Sequence, residues 1–387
     1  MIPRYGPNYS YADLVSSLVK SYRDPEYEKL GARLAELHQV KHVFLFNNAR
    51  EALFAILRAY NKPGGVLLPA YNSIVVPDTV RFAGYDPVFA DIEYNSFNMN
   101  ASEVKKAMRP GVTAVLLLHQ FGLPCKVEEI LEVLKPYPVL TIEDVAPAFG
   151  AEYHGQRVGN LCDVGILSFR STKVISGVTG GALVTNNDEL AQKIIPLMQE
   201  VKDPGDRWKR FATAMIKKIT TRAGIYPAVK SVYRLLKKEL MFEVVQRRVE
   251  APGYHMKQLS PFTSVLVMKE LDKLEWNLSR RRRLAQFYRE GLADQKKLRL
   301  PDIPDDCAPA WIQFPILPDD RQVFYKYMQR NGIDLSWTFR YSCAESYAVN
   351  DCPNAYRAAR LVLGLPTYPS LTDQEAQTIC EKGQKYR

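Results

Sequence analysis

The sequence predicts an α/β protein built on a mostly parallel sheet with helices on both faces. Three observations carry that expectation. Short apolar runs recur through the first half of the chain, and helical runs alternate with them. Small polar residues or a proline stand where strand gives way to helix. The chain has 387 residues, enough for one large core and a second, smaller domain.

The elements follow in order. Residues 1–40 read as an N-terminal arm, with helical apolar spacing over Tyr11–Tyr22 and Tyr27–Gln39. Val43–Phe46 is a short strand that feeds through Asn47-Asn48-Ala49-Arg50 into a helix over Glu51–Ala59. Val66–Leu68 is the next strand and ends at Pro69-Ala70-Tyr71-Asn72; the helix Val75–Phe82 and the strand Pro87–Asp91 come after it. Strands are expected at Val112–His119, Val139–Asp144, Val164–Phe169 and Ala182–Thr185, with a helix at Lys126–Leu134. Ligands of such sheets bind beyond the carboxyl ends of the strands. Asn48, Tyr71, His119, Asp144 and Ser168 all fall at such ends, with Lys173 just past the last of them.

Residues 203–252 interrupt the pattern. Trp208, Phe211, Met215 and Ile219 recur at helical spacing, as do Ile225, Val229, Val232, Leu236 and Leu240, with lysines and arginines between them. Two basic amphipathic helices are expected. Their apolar stripes either pack on the body of the protein, leaving the charges solvated, or meet an anionic membrane or an acidic carrier through 207–248. Downstream, a long helical stretch over Phe262–Tyr288, a strand over Trp311–Leu317 and helices at Arg321–Gln329 and Asn354–Val362 read as a smaller α/β domain. The expected division is 1–250, holding the large domain with the insertion, and 251–387.

Composition narrows the function. The net charge is +10, and Arg207–Arg248 alone holds 12 Lys or Arg against 2 Glu, so the rest is close to neutral. The basic character belongs to the insertion, which argues against nucleic acid as a partner. The six cysteines form no CxxC pair and the five histidines are scattered, so neither a disulfide framework nor a metal site is expected. No apolar run approaches the roughly 18 residues needed to cross a bilayer. The start of the chain lacks the apolar core of a secretory signal. The expected location is the cytoplasm, with peripheral contact at the inner face of the membrane if the insertion serves that purpose.

The chemistry gathers around Ser168-Phe169-Arg170-Ser171-Thr172-Lys173, which precedes Gly180-Gly181. Lys173 on one strand-end loop and Asp144 on another are the kind of pair by which a protein holds pyridoxal phosphate, and that cofactor is expected here. The lysine forms a Schiff base with the aldehyde, and the carboxylate keeps the pyridine nitrogen protonated. The Asn48-Ala49-Arg50 turn opens a helix and can cradle a phosphate; an ordinary N-cap at Asn48 is the simpler reading of that turn alone.

With these residues in hand, the chain resembles the DegT/DnrJ/EryC1/StrS aminotransferases over about Val43 to Thr372. The stretches that carry the likeness are Ile142-Glu-Asp144 with Ala148-Phe-Gly150, Tyr153–Gly159, Ser168-Phe169 with Lys173, Gly180-Gly181, and Ala359-Arg360 with Leu365–Pro369. The resemblance implies the type I fold of pyridoxal-phosphate-dependent transferases and a homodimer with shared active sites. It also implies amino transfer from an amino acid such as glutamate to a keto sugar, generally nucleotide-linked, for polysaccharide or glycoconjugate synthesis. Lys173 and Asp144 would be catalytic. Asn48, Ala49, Arg50 and Ser168 would hold the cofactor phosphate, and no metal is implied.

The departures from the family pattern are specific. The usual Ser-Gly-Thr of the phosphate turn is Asn48-Ala49-Arg50. The expected ring-stacking aromatic aligns with Ser73, leaving Tyr71 or Asn72 as candidates. The cross-subunit asparagine appears as His255. Relatives that lack the lysine catalyse dehydration instead, and other relatives are regulators; a lyase or a non-catalytic role are the alternatives to transamination.

Overall fold

The computed structural model describes residues 1–24, 26–199, 201, 203–235 and 256–386. Its main sheet is assembled from His42–Phe46 (β1), Gly65–Pro69 (β2), Asp86–Ala90 (β3), Val112–Leu118 (β4) and Leu140–Asp144 (β5). After two short strands, Glu152–Tyr153 (β6) and Gln156–Arg157 (β7), it is completed by Val164–Ser168 (β8) and Gly181–Thr185 (β9). The spatial order is β1-β9-β8-β5-β4-β2-β3. Strands β3, β2, β4, β5 and β8 run parallel, and β9 is antiparallel to both of its neighbours.

Both faces of this sheet are covered, which is why its strands read as continuous apolar runs. Leu116 and Leu118 join one core with Ile142 and Ile166, while Val115 and Leu117 join the other with Leu167 and Val184. Among the helices that escaped the sequence pattern are Asp188–Gln199 and Ala101–Ala107, the latter being the less visible. It is short and mostly polar, and its signal is the cap Asn100, whose side chain accepts the Glu103 N–H at 2.9 Å.

The remaining strands are Leu298–Arg299 (β10), Cys307–Ala308 (β11), Phe314–Pro318 (β12) and Leu363–Leu365 (β13). Strands β10, β12 and β13 form a small antiparallel sheet, and β11 pairs with β6. Leu259, Leu271, Leu274 and Leu278 pack with the large sheet or its flanking helices, and Leu284, Tyr288 and Phe314 join Leu123 in the core around the small sheet. The N-terminal arm reaches this second core: Ile2 donates its N–H to the Gly332 carbonyl at 2.7 Å.

The insertion forms the helices Arg207–Thr220 and Tyr226–Leu235. Phe211 and Met215 of the first expected stripe, joined by Ala214, pack with Leu14, Leu18, Phe262 and Leu266, whereas Trp208 and Ile219 of that stripe do not. The expectation of solvated charges is corrected. Arg210 bonds Asn47, Lys217 bonds Ser171 and Lys218 bonds the Pro7 carbonyl, while Lys230 meets the buried Asp334. Lys209 and Arg222 stay exposed, together with Trp208, Ile216 and Ile219. The side chains turn this way because the second apolar row, not the basic one, occupies the outer face. Leu236 and Leu240 lie outside the described residues. Among the described residues no helix is long and apolar enough to cross a membrane, and no metal-binding cluster is found.

One buried charge makes a stability prediction. Glu270, on the helix Pro261–Leu271, is 1% exposed, and its carboxylate oxygens have no hydrogen-bond partner among the described residues. Burial pushes its carboxyl up from 4.5 to about 7. The folded state thus holds a proton that the unfolded chain releases near pH 4.5. The stability tied to that proton is complete below pH 4.5 and lost as the pH rises through about 7. Glu270→Gln removes the penalty, worth about 3 kcal/mol at its upper limit. Denaturant unfolding from pH 5 to 8 should show the variant gaining on the parent and the gain levelling above pH 7. A gain that does not grow with pH contradicts the assignment.

Candidate active site

The site follows from strand alternation. Glu143 and Asp144 are neighbours on β5, so their side chains leave opposite faces of the sheet. Glu143 is fully buried and accepts three donors: His119 Nε2–H at 2.8 Å, Gly159 N–H at 2.7 Å and Leu161 N–H at 2.9 Å. The Cys125 N–H donates to His119 Nδ1 at 3.0 Å, which leaves the ring proton on Nε2. His119 is thereby tied up behind the sheet. It does not line the cavity.

Asp144 faces the other way, into a cavity of about 570 Å³ at the carboxyl edge of the sheet. It is the sole carboxylate among the described lining residues, against Arg4, Arg50, Arg170, Lys173 and Arg210. Its Oδ1 accepts the Ala146 N–H at 2.9 Å. Burial raises its pKa; the Ala146 N–H and the charge of Lys173 oppose that rise.

Lys173 stands on the loop joining β8 to β9. The loop is tied down by Lys173 N–H to the Arg170 carbonyl (2.9 Å), Gly177 N–H to the Phe169 carbonyl (2.8 Å) and the Asn277 amide to the Val174 carbonyl (2.8 Å). Such anchoring fixes where the amine points. Burial brings the Lys173 ammonium down to about 8, with Asp144 resisting the shift and Arg170 adding to it. An amine that is half neutral near pH 8 can act as a nucleophile or as a base.

The turn at Asn48 forms the expected N-cap and also borders the cavity. Asn48 caps the helix Ala49–Tyr60, its Oδ1 accepting the Glu51 N–H at 3.2 Å. Asn48, Ala49 and Arg50 also line the cavity, at the positive end of that helix. The turn approaches β9 so closely that a Cβ on Gly181 would sit 2.5 Å from the Ala49 nitrogen. Only glycine fits there, which is the physical content of the Gly180-Gly181 pair. Ser168, at the end of β8, lines the same wall.

Two sequence candidates fare differently. The structure places Tyr71 outside the cavity wall. Its ring is fully buried among Phe97, Phe121 and Phe339, and its hydroxyl donates to the Thr338 carbonyl at 2.9 Å. Asn72 lines the cavity instead. The reason is packing: the tyrosine at the end of β2 fills an aromatic pocket, and the next residue takes the open side. His255 lies outside the described residues.

Sequence reasoning missed several residues of the wall. Arg4 arrives on the N-terminal arm, Gln120 follows β4, Arg210 comes from the first basic helix, and Trp337 comes from beyond β12. Only Gln120 had a local signal, its place just after a strand end. Asn72 Nδ2 and Trp337 Nε1 are buried donors of the wall with no hydrogen-bond partner among the described residues. They are suited to a polar ligand.

A lysine and an aspartate facing one cavity at the carboxyl edge of a mostly parallel sheet mark a class of group-transfer enzyme, and comparison with known proteins narrows it. The sequence model of the DegT/DnrJ/EryC1/StrS aminotransferase family matches residues 14–384. The chain belongs to that family and is an aminotransferase. It is 26% identical over 366 residues to a dTDP-4-amino-4,6-dideoxy-D-glucose transaminase of Escherichia coli, covering 90% of this chain and 87% of that one. It is 24% identical over 399 residues to a GDP-perosamine synthase of Vibrio cholerae, covering 98% and 97%. Among solved structures, Spr1654 of Streptococcus pneumoniae, solved in a PMP form, superposes with a TM-score of 0.79 at 18% identity, covering 99% of this chain and 98% of that one. That last likeness is one of fold.

Proposed function

We propose that this chain is a pyridoxal-phosphate-dependent aminotransferase that moves an amino group from an amino acid, glutamate in the first instance, to a nucleotide-linked keto sugar for polysaccharide or glycoconjugate synthesis. The observation that carries the reading is the pairing of Lys173 and Asp144 on one cavity, with Asp144 as the sole acid among the described residues of its wall. The named relatives, a dTDP-sugar transaminase and a GDP-perosamine synthase, support a nucleotide-linked acceptor.

The residues fit pyridoxal phosphate. Bound there, the cofactor supplies an aldehyde to carry the amino group and a ring that accepts electron density. Lys173, brought down to about 8 by burial, would be the amine that engages the aldehyde and the base that holds and moves a proton there. Asp144 would hold the ring nitrogen and favour its protonated form, as an anion beside a cation does. Asn48, Ala49 and Arg50 at the helix N-terminus, with Ser168, take the phosphate. Asn72 offers a buried N–H donor on the open side of the cavity, and Tyr71 shapes the wall from behind.

The reading extends to a homodimer with shared active sites in the cytoplasm. Contact with an anionic membrane or carrier would have to use the outward row of Trp208, Ile216 and Ile219 with Lys209 and Arg222, because Arg210, Lys217 and Lys218 are engaged by the protein. Absorbance of the purified, cofactor-loaded protein tests the activity. Glutamate should bleach the band of the bound aldehyde, and a nucleotide-linked keto sugar should restore it. A band indifferent to every amino donor points to the lyase or regulatory alternative.

A further inference from the structure

The basic helix Arg207–Thr220 is a wall of the active site. Arg210 lies on its inner side and reaches the cavity. Its Nε donates to Asp206 Oδ2 at 2.6 Å and its Nη2 to Asn47 Oδ1 at 3.1 Å, one residue before the Asn48-Ala49-Arg50 turn. Its Nη1 has no partner among the described residues. The guanidinium is therefore held in place on one side and left with donors on the other. Arg50 and Arg170 line the same cavity, and neither forms an ion pair among the described residues. Lys217, about two turns further along the same face of the helix, donates to Ser171 Oγ and so pins the base of the Lys173 loop.

Like charges converge here, and the carboxylates set against them are Asp206 beside Arg210 and Asp144 on the same cavity. Burial and the charges of Arg170 and Arg210 bring Lys217 down to about 8. Arg50 adds to the burial that lowers Arg170. Asp206 balances Arg210 only in part, since it touches one edge of the fork. Three arginines from three separate segments, aimed into one cavity beside a helix N-terminus, suit an oxyanion with several acceptor atoms.

We propose that the insertion helix supplies Arg210, from within the same chain, to a phosphoryl-binding site completed by Arg50 and Arg170, with Lys217 positioning the adjoining loop. The site takes a dianionic phosphoryl group. Two sources share that chemistry, the 5′-phosphate of pyridoxal phosphate and the diphosphate of a nucleotide-linked substrate. The proposal rests on the reading of the cavity given above for the second reactant, but not for the anion itself.

The test is equilibrium binding to the full chain, parent and Arg210→Ala. Pyridoxal phosphate and pyridoxal are titrated into cofactor-free protein by absorbance. Thymidine diphosphate, thymidine and inorganic pyrophosphate are titrated into cofactor-loaded protein by calorimetry. Loss of a half-buried charged contact should weaken the phosphorylated probe by roughly tenfold to thirtyfold and leave its dephosphorylated partner unchanged. Weakening of pyridoxal phosphate assigns the site to the cofactor; weakening of thymidine diphosphate and pyrophosphate assigns it to the substrate. Arg210→Lys should restore part of the affinity, and an unchanged thermal midpoint shows that the fold is intact. Parent-like affinity of Arg210→Ala for all three phosphorylated probes overturns the proposal. If pyrophosphate binds in an Arg210-dependent way but pyridoxal phosphate does not bind at all, the anion site stands and the cofactor assignment fails.

Discussion

Lys173→Ala should remove amino transfer, with the glutamate half-reaction slowed by roughly 10⁴-fold or more. Two functions are lost together, the amine that engages the aldehyde and the base that carries the proton, and no neighbour replaces either. Arg170 stays protonated at any working pH, and Lys217 is held by Ser171. The fold should survive. The loop is fastened by backbone bonds from Lys173 N–H and Gly177 N–H and by Asn277, none of which uses the lysine amine. Stopped-flow absorbance with glutamate measures the rate, and borohydride reduction of the loaded parent followed by peptide mass spectrometry should place the cofactor on Lys173. A variant within tenfold of the parent would show that another group does the chemistry.

Asp144→Asn should slow the same half-reaction by roughly 10²–10³-fold, the scale of losing one preorganised electrostatic contact in a water-poor site. The amide keeps the shape and can still accept the Ala146 N–H, but it removes the sole carboxylate among the described wall residues. A second readout follows from the charges. Asp144 holds the Lys173 ammonium up against burial and Arg170. Without that anion the lysine should titrate below its parental value of about 8. Labelling of Lys173 in the cofactor-free protein, followed against pH, should show the midpoint move down. A midpoint that stays or rises would mean that the two groups do not sense each other.

The legible parts of this protein were those in which local chemistry and global fold agree. The main strands were visible because a sheet covered on both faces needs unbroken apolar runs. Asp144, Lys173 and Ser168 were visible because strand ends can be located from those runs, and such ends converge on one edge of a parallel sheet. The glycine pair was visible as a motif, and its reason is the 2.5 Å approach of Ala49 to Gly181. Tyr71 was misplaced for a physical reason. Sequence locates it at a strand end, but whether a side chain faces the cavity or an aromatic pocket behind it depends on Phe97, Phe121 and Phe339, which are distant in the chain.

The insertion teaches the same lesson about charge. Its periodicity correctly indicated two amphipathic helices, yet periodicity does not say which of two apolar rows is buried. Packing of Phe211 and Ala214 against Phe262 and Leu266 decided that, and it rotated Arg210 and Lys217 toward the site. By itself, then, the sequence determined the sheet, the family likeness and the lysine–aspartate pair, because these depend on residue type and spacing along single segments. Only the tertiary structure decided that Arg4, Arg210 and Trp337 share a cavity with Lys173. Their approach depends on how an N-terminal arm, an insertion and a second core dock on the sheet, and docking is a property of faces that are completed only when the chain has folded.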